Sequence, residues 1–511
     1  MRSDVVSEFF RVAESRPNAS AVIDNGRHIS YAALAAEVSA VARSLADTAG
    51  PGAVAVPAVH SPRTIAAALA VQAAGRAYCP VDPAFPAQRQ ALMLQGAGCE
   101  TVLRTPAGTV DELGDRTVLV TPAPEEVRVD APRPWDGFLP PAEEAIAYIL
   151  FTSGSTGAPK PVEVPHRAIA AVTGSLRELF AIGPDDRVLQ FASLNWDTCF
   201  EEILPTLCSG AALVMDDDAH AGSFPRMFRM LQREGVTVVD LPTAFWHELV
   251  RYLKEDGGVL PPSLRTVIIG GEPVNPARLA AWRAADTAGV RLINTYGCTE
   301  TALITHAVDL HGPRTCVDVG RLAGAPIGRP LPHVRQLLEP CDDGTEGGTA
   351  ELFVGGPSVA AGYRGSPHLT SSRFVDKKIG GEVVRCFRTG DLVRELPDGN
   401  LGIQGRADRQ LKVRGIRLDP SEIEHELTAH PEIAAAVVSG AVHAGRTVLA
   451  AYVVPGTAVD SGGLRDRVLT DLRERLPEHL IPARLFVVSE LPYTPSGKID
   501  YSALLSNDGV N

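Results

Sequence analysis

From Thr152 onward, the string Thr152-Ser153-Gly154-Ser155-Thr156-Gly157-Ala-Pro-Lys160 sets four hydroxyls, two glycines and one lysine directly behind the apolar run Tyr148–Phe151. Glycines let backbone N–H groups approach an anion, hydroxyls add donors, and a lysine supplies charge, so the spacing suits a phosphate cradle. It is not a Walker loop, because no Gly-Lys-Ser/Thr follows a first glycine at the required interval. Taken alone, the string also reads as a generic glycine-rich turn.

Such a loop needs a strand to launch it. Short Val/Ile/Leu/Ala-rich runs, among them Ala211–Met215, Val236–Asp240 and Val267–Ile269, alternate with amphipathic stretches along the chain. That alternation predicts strand–helix units with mostly parallel sheets, an α/β fold. Residues 121–143, rich in Pro, Glu and Asp, read as a surface connection ahead of the loop. After Asp408 about a hundred residues carry their own alternation: helical over 422–429 and 464–476, strand-like over 434–440 and 448–454. At 511 residues the chain exceeds one hydrophobic core, and more than one domain is expected.

Bulk properties narrow the class. Apolar content of 45% and a net charge of −13 describe a globular protein without an intrinsic pull toward nucleic acid or anionic membranes. The 8 cysteines are scattered without a Cys-x-x-Cys pair, which fits reduced thiols better than disulfides or a zinc site. Acids stand where a signal peptide needs an apolar core, and no run reaches the length of a membrane span. A cytoplasmic location is the expectation.

The loop string resembles the phosphate-binding loop of the adenylate-forming superfamily, with Pro161 where that family usually has glycine. Further motifs run in family order from about residue 29 to 500: Ile29-Ser-Tyr31-Ala-Ala-Leu34, Ala74–Asp82, Asn294-Thr-Tyr296-Gly297-Cys298-Thr299-Glu300, Phe387–Leu392, Gly405–Gly415 and Leu491–Asp500. Cys298 replaces the usual proline. Together they are similar to the amino-acid-activating (adenylation) domains of non-ribosomal peptide synthetases, which couple a carboxylate to ATP-derived AMP and pass it to a carrier's phosphopantetheine thiol.

The resemblance implies an N-terminal core over residues 1–407 built of three subdomains. A small mobile α+β domain over 408–511 would turn about Asp408 between an adenylation and a thioester-forming pose. Lys498 matches the catalytic lysine, Thr299 a phosphate contact, and Glu300 the Mg²⁺ ligand, an oxygen donor suited to a hard cation. Thr152, Ser153, Gly154, Ser155, Thr156, Gly157 and Lys160 are expected on the phosphates of ATP. Asp391 and Arg406 belong at the ribose, and Asn294, Tyr296, Gly297 and Gly271 around the nucleotide. Only 13 residues follow Lys498, so the expected carrier is a separate protein.

In the segment Leu194–Glu202, Asp197 falls on the aspartate that binds a substrate ammonium, which aryl- and fatty-acid activators generally lack. The other specificity positions carry over to Thr198, Glu201, Asp240, Ile268, Gly270, Thr295, Leu303 and Ile304, with Lys498 last. Three carboxylates in one pocket are costly without a counter-charge, so a diamino acid is the expected substrate. The set resembles that of β-lysine-activating domains of streptothricin- and viomycin-type pathways, with α-lysine and ornithine as alternatives and an acyl- or aryl-CoA ligase further off.

Overall fold

The computed structural model describes residues 4–48, 52–105, 110, 116–121, 140–153, 159–315, 324–341, 348–413, 415–443, 446–456, 463–492, 499–500 and 504. Residues 154–158 and 493–498 lie outside this set, and with them Gly154, Ser155, Thr156, Gly157 and Lys498. Most of the 121–143 connection does too.

Among the described residues three large sheets precede Asp408. The first, nine-stranded, runs in parallel from Arg291–Gly297 through Thr266–Gly270, Val238–Pro242, Arg187–Leu189 and Ala212–Met215 to Ser20–Asp24, with antiparallel strands at both edges. The second, seven-stranded, is parallel around Ala53–Pro57 and turns antiparallel at Ile146–Thr152 with Lys160–Pro165, beyond which Gly362–Tyr363 forms the edge. The apolar runs picked out in the sequence fall on these central strands. Parallel strands are covered on both faces, which is why Ala53–Pro57 and Ala212–Met215 are buried throughout. The third sheet, centred on Thr349–Gly355 and Glu382–Glu395, is wholly antiparallel and departs from the parallel expectation.

After Asp408 come a two-stranded hairpin (Leu411–Val413 with Ile416–Leu418), the helix Pro420–Thr428, the strands Ile433–His443 and Arg446–Pro455, the helix Leu464–Arg475 and a third strand, Arg484–Val487. Their apolar residues form clusters of their own, one around Leu418, Ile423, Leu449 and Leu472 and a smaller one around Tyr452. No helix among the described residues is long and apolar enough to cross a membrane.

Candidate active site

The main cavity, about 550 Å³, opens at the carboxyl ends of the parallel strands of the nine-stranded sheet, where open α/β sheets hold ligands. Register fixes its floor. Pro242 pairs with Gly270 and Gly270 with Thr295, so one rung supplies three lining residues, with Asp240 two positions deeper. A Cβ on Gly270 would lie 2.5 Å from Thr295 Oγ1, so glycine keeps this floor low. Ile268 pairs with Asp240 but does not line the cavity. It is buried beneath it in the core that includes Leu303 and Ile304, which do line it.

Asp197 immediately precedes the helix Thr198–Ser209, and Glu201, four residues on, shares its face. Asp197, Thr198, Glu201 and Asp240 therefore line one wall and floor of the cavity. Burial pushes the Asp197 carboxyl up, against a hydrogen bond from the Thr299 hydroxyl. Burial first, then the Asp240 and Asp197 charges, push Glu201 well up. Burial pushes Asp240 up to about 7, partly opposed by a hydrogen bond with Glu201. Asp240 Oδ2 is buried and receives no hydrogen bond from a protein donor. The neighbouring Glu202 is a different case: Gln190 Nε2 and the Phe191 and Ala192 N–H groups donate to it at 2.9–3.0 Å, so it holds structure together.

The strands Ile146–Thr152 and Lys160–Pro165 pair Thr152 with Lys160, so the two described ends of the glycine-rich string lie side by side. Thr152 lines the cavity, as do Gly271, Gly297 and Thr299. Glu300 sits in the short turn Thr299–Thr301, buried, with Oε1 accepting from the Tyr363 hydroxyl at 2.8 Å and Oε2 3.2 Å from Arg417. Burial alone would raise its carboxyl, but Arg417 and these donors hold it below the usual range. Glu300 thus stays an ionised oxygen donor, the chemistry a hard divalent cation needs, although both of its oxygens are engaged by protein here. Cys298 at the proline position turns its freed N–H toward Thr301 Oγ1 at 3.4 Å. Its thiol is pushed up to about 12 by burial and is inert.

Among the residues expected at the nucleotide, Asp391 Oδ2 accepts from the Tyr296 hydroxyl at 2.5 Å and Oδ1 pairs with Arg406. Arg406 also reaches Asp408 at 2.7 Å through Nε and Gln410 at 2.9 Å through Nη2, and Arg373 holds Asp408 from the other side at 3.1 Å. The residue expected as hinge is thereby tied to the expected ribose acid. Asn294 is expected beside them at the nucleotide. It is outside the cavity lining, and its amide donates to the Pro326 carbonyl at 2.7 Å, so that group is already engaged.

Residues that the sequence reading did not single out come mostly from the hairpin 411–418, which enters the site from the C-terminal side. Lys412, Gly415, Ile416 and Arg417 line the cavity. Lys412 Nζ stands 5.4 Å over the Tyr296 ring, and the Gly415 N–H donates to Glu272 at 2.9 Å. The Asp419 N–H donates to Ser153 Oγ at 2.6 Å, and its carboxylate is 3.7 Å from Lys160. Gly271 and Gly415, both at positive φ, meet where a Cβ on Gly271 would come within 3.3 Å of the Gly415 backbone. A second arginine two positions past Gly415, in the alternation of a hairpin, was the available signal. His60, Phe191 and His220 line the far wall without any motif to mark them.

The sequence profile of the AMP-binding enzyme family matches residues 9–364, and that of the AMP-binding enzyme C-terminal domain matches residues 422–498. An isonitrile lipopeptide synthase of Streptomyces coeruleorubidus is 40% identical over 96% of this chain, which spans only 32% of that relative's length. Among solved structures, the amide bond synthetase McbA from Marinactinospora thermotolerans is 27% identical, with a TM-score of 0.81 over 98% of this chain and 99% of that one. An artificially fused adenylation–PCP di-domain from Klebsiella oxytoca, 24% identical, shares the fold at a TM-score of 0.81 over 95% of this chain and 94% of that one. The large α/β body, the small C-terminal unit and the sequence motifs agree with these findings: the chain belongs to the AMP-binding enzymes, the adenylate-forming ligases.

Proposed function

We propose that this protein joins the carboxylate of a diamino acid, β-lysine, to AMP at the expense of ATP and passes the aminoacyl group to a carrier's phosphopantetheine thiol in non-ribosomal peptide antibiotic assembly. In the first step a carboxylate oxygen attacks the α-phosphorus and pyrophosphate leaves; in the second the thiol displaces AMP. Both are largely matters of positioning and charge neutralisation. The observation that carries the substrate class is the acidic pair Glu201 and Asp240 on the floor, with one carboxylate oxygen unpartnered, beyond Asp197. Asp197 would take the ammonium nearer the carboxylate and the pair the distal one, while Leu303 and Ile304 pack the methylenes between.

Thr152, Ser153 and Lys160 would hold the phosphates, Asp391 and Arg406 the ribose, and Tyr296 the base. Glu300 would hold Mg²⁺, which supplies charge neutralisation at the triphosphate. Residues 408–511 would move as a unit about Asp408, a reading supported by their separate apolar clusters. Peptide synthases among the relatives support assembly on a carrier.

Amino-acid-dependent ATP–pyrophosphate exchange tests this. β-Lysine is expected to outcompete α-lysine and ornithine by about tenfold or more, some 1.4 kcal/mol, because a β-amino group is displaced by one carbon relative to Asp197. Faster exchange with α-lysine or ornithine removes the β assignment and leaves the diamino class. A neutral or aryl acid as best substrate removes both.

A further inference from the structure

Glu201 and Asp240 come from different elements, the helix Thr198–Ser209 and the strand Val238–Pro242, yet both are buried in the lining of one cavity, where each acts on the other's proton as a hydrogen-bond partner. A carboxylate has no donor, so a hydrogen bond between two carboxyl groups requires a proton on one of them. Among the described residues no basic side chain pairs with either acid, and Asp240 Oδ2 is buried without a protein donor. We propose that the two carboxyls hold one shared proton in the empty pocket and that the distal ammonium of the substrate takes its place, so that capture of a diamino acid releases a proton to solvent.

The exchange balances: a hydrogen-bonded carboxyl–carboxylate pair plus an ammonium becomes two carboxylates bridged by that ammonium plus one free proton. The ammonium must enter the space that the shared O–H occupies, and its own N–H groups then serve both acids. Burial raises both groups above the ordinary carboxylate range, Asp240 to about 7, which places the exchange near neutrality. The pair titrates as a unit.

Other ionisable groups around the pair oppose its ionisation or stand apart from it. On the same helix, Asp197 adds negative charge at the first turn, and Glu202 is saturated by Gln190 and two backbone N–H groups. Buried Cys199 and, from the strand Ile146–Thr152, Tyr148 are pushed well up and stay neutral. Across the cavity stand His60 and His220, the latter pushed down by burial; Lys412 and Arg417 stand on the hairpin side, Arg417 paired with Glu300. Two consequences follow. Affinity for a diamino acid should rise with pH by up to tenfold per unit while the pair still holds its proton, and then level off. Uncharged side chains of similar length, which leave the proton in place, should show no such rise.

This rests on the diamino-acid reading above, and the test separates the two. β-Lysine is titrated into the enzyme calorimetrically at pH 6.5 in buffers of different ionisation enthalpy, with norleucine as the uncharged comparator. About one proton released per β-lysine, and none with norleucine, is the expected result. β-Lysine binding with a heat independent of buffer overturns the shared-proton proposal and leaves the substrate class intact; no binding or exchange with any diamino acid removes both. The Glu201→Gln enzyme leaves Asp240 with an amide donor in place of the shared proton, so β-lysine should bind more weakly and release less than a fifth of the proton. Undiminished release in Glu201→Gln assigns the proton to another group and overturns the proposal.

Discussion

At the scale of single residues, the acidic floor has a cost in the ligand-free enzyme that can be measured apart from activity. Glu201 carries a raised folded-state pKa, so above about pH 4.5 the unfolded chain ionises it while the folded pocket resists. Folding stability is therefore lost as pH rises from there toward the folded pKa, the reverse of a salt-bridged carboxylate. Glu201→Gln should raise the Tm of the empty enzyme, more at pH 8 than at pH 4.5, with a gain on the order of 1–3 kcal/mol at the higher pH. Thermal melts at the two pH values check this; equal gains would mean that Glu201 is stabilised as an ordinary acid. Lys498 sits in the motif Pro495-Ser-Gly-Lys498, matched by the C-terminal family profile. With Lys498 proposed as the lysine that meets the carboxylate and α-phosphate, its change to Ala should slow adenylation by roughly a hundredfold or more, the scale of one preorganised electrostatic contact. Transfer from preformed adenylate should fall far less. Equal losses in exchange and single-turnover transfer would refute that division of labour.

At the scale of elements, the hairpin 411–418 bears on which of the two proposed half-reactions the site would be arranged for. It brings Arg417 onto Glu300 and Asp419 onto Ser153 and Lys160, so groups expected to face Mg²⁺ and triphosphate are engaged by protein instead. With the guanidinium on Glu300, a metal held there would have to displace Arg417, so under the proposed two-step reaction this arrangement suits the pose after pyrophosphate has left. Arg417→Ala should accordingly spare ATP–pyrophosphate exchange to within about threefold. Thioester formation should fall about tenfold or more, at least 1.4 kcal/mol of lost docking. A quench-flow comparison of the two steps reads this directly, and a collapse of exchange would place Arg417 in the first half-reaction. Why the sequence did not show this contact is physical. The strands Val238–Pro242 and Thr266–Gly270 are written as local apolar runs, and the C-terminal helices Pro420–Thr428 and Leu464–Arg475 with the strands Ile433–His443 and Arg446–Pro455 as local periodicity, so these were legible, whereas the short strands of the hairpin and Arg484–Val487 were not. Arg417 and Glu300 lie 117 positions apart, and their meeting depends on how two units dock. The antiparallel sheet was hidden for another reason: Glu382–Glu395 is exposed at both ends and buried in the middle, which blurs its alternation.

At the scale of the whole molecule, the docked pose is held by a second contact far from the chemistry. Arg89, on the helix Ala87–Gly96 of the large body, pairs with Glu422 in the first turn of the helix Pro420–Thr428, and both side chains are buried. The helix N-terminus favours an acid there, but a fully buried carboxylate still needs its cation. Nearby, His479 packs against Trp196 at 5.3 Å and Phe85 at 6.1 Å, joining the C-terminal unit to the residue before Asp197. This interface thus links the pose of the C-terminal unit to the wall of the amino-acid pocket. Removing one member of a buried pair costs about 3–5 kcal/mol, because the other is left charged and dry, whereas replacing both by apolar residues is often neutral. Arg89→Met should therefore undock residues 408–511, slowing transfer to the carrier thiol while ATP–pyrophosphate exchange persists. Adding Glu422→Met should restore docking and transfer, since the stranded carboxylate is gone. Energy transfer between dyes on the large body and on the Leu464–Arg475 helix would follow the pose in each variant. If Arg89→Met leaves that distance and the transfer rate unchanged, the buried pair stabilises the fold without setting the pose. If the double variant stays undocked, the pair acts through its charge complementarity rather than through the burial of a lone acid.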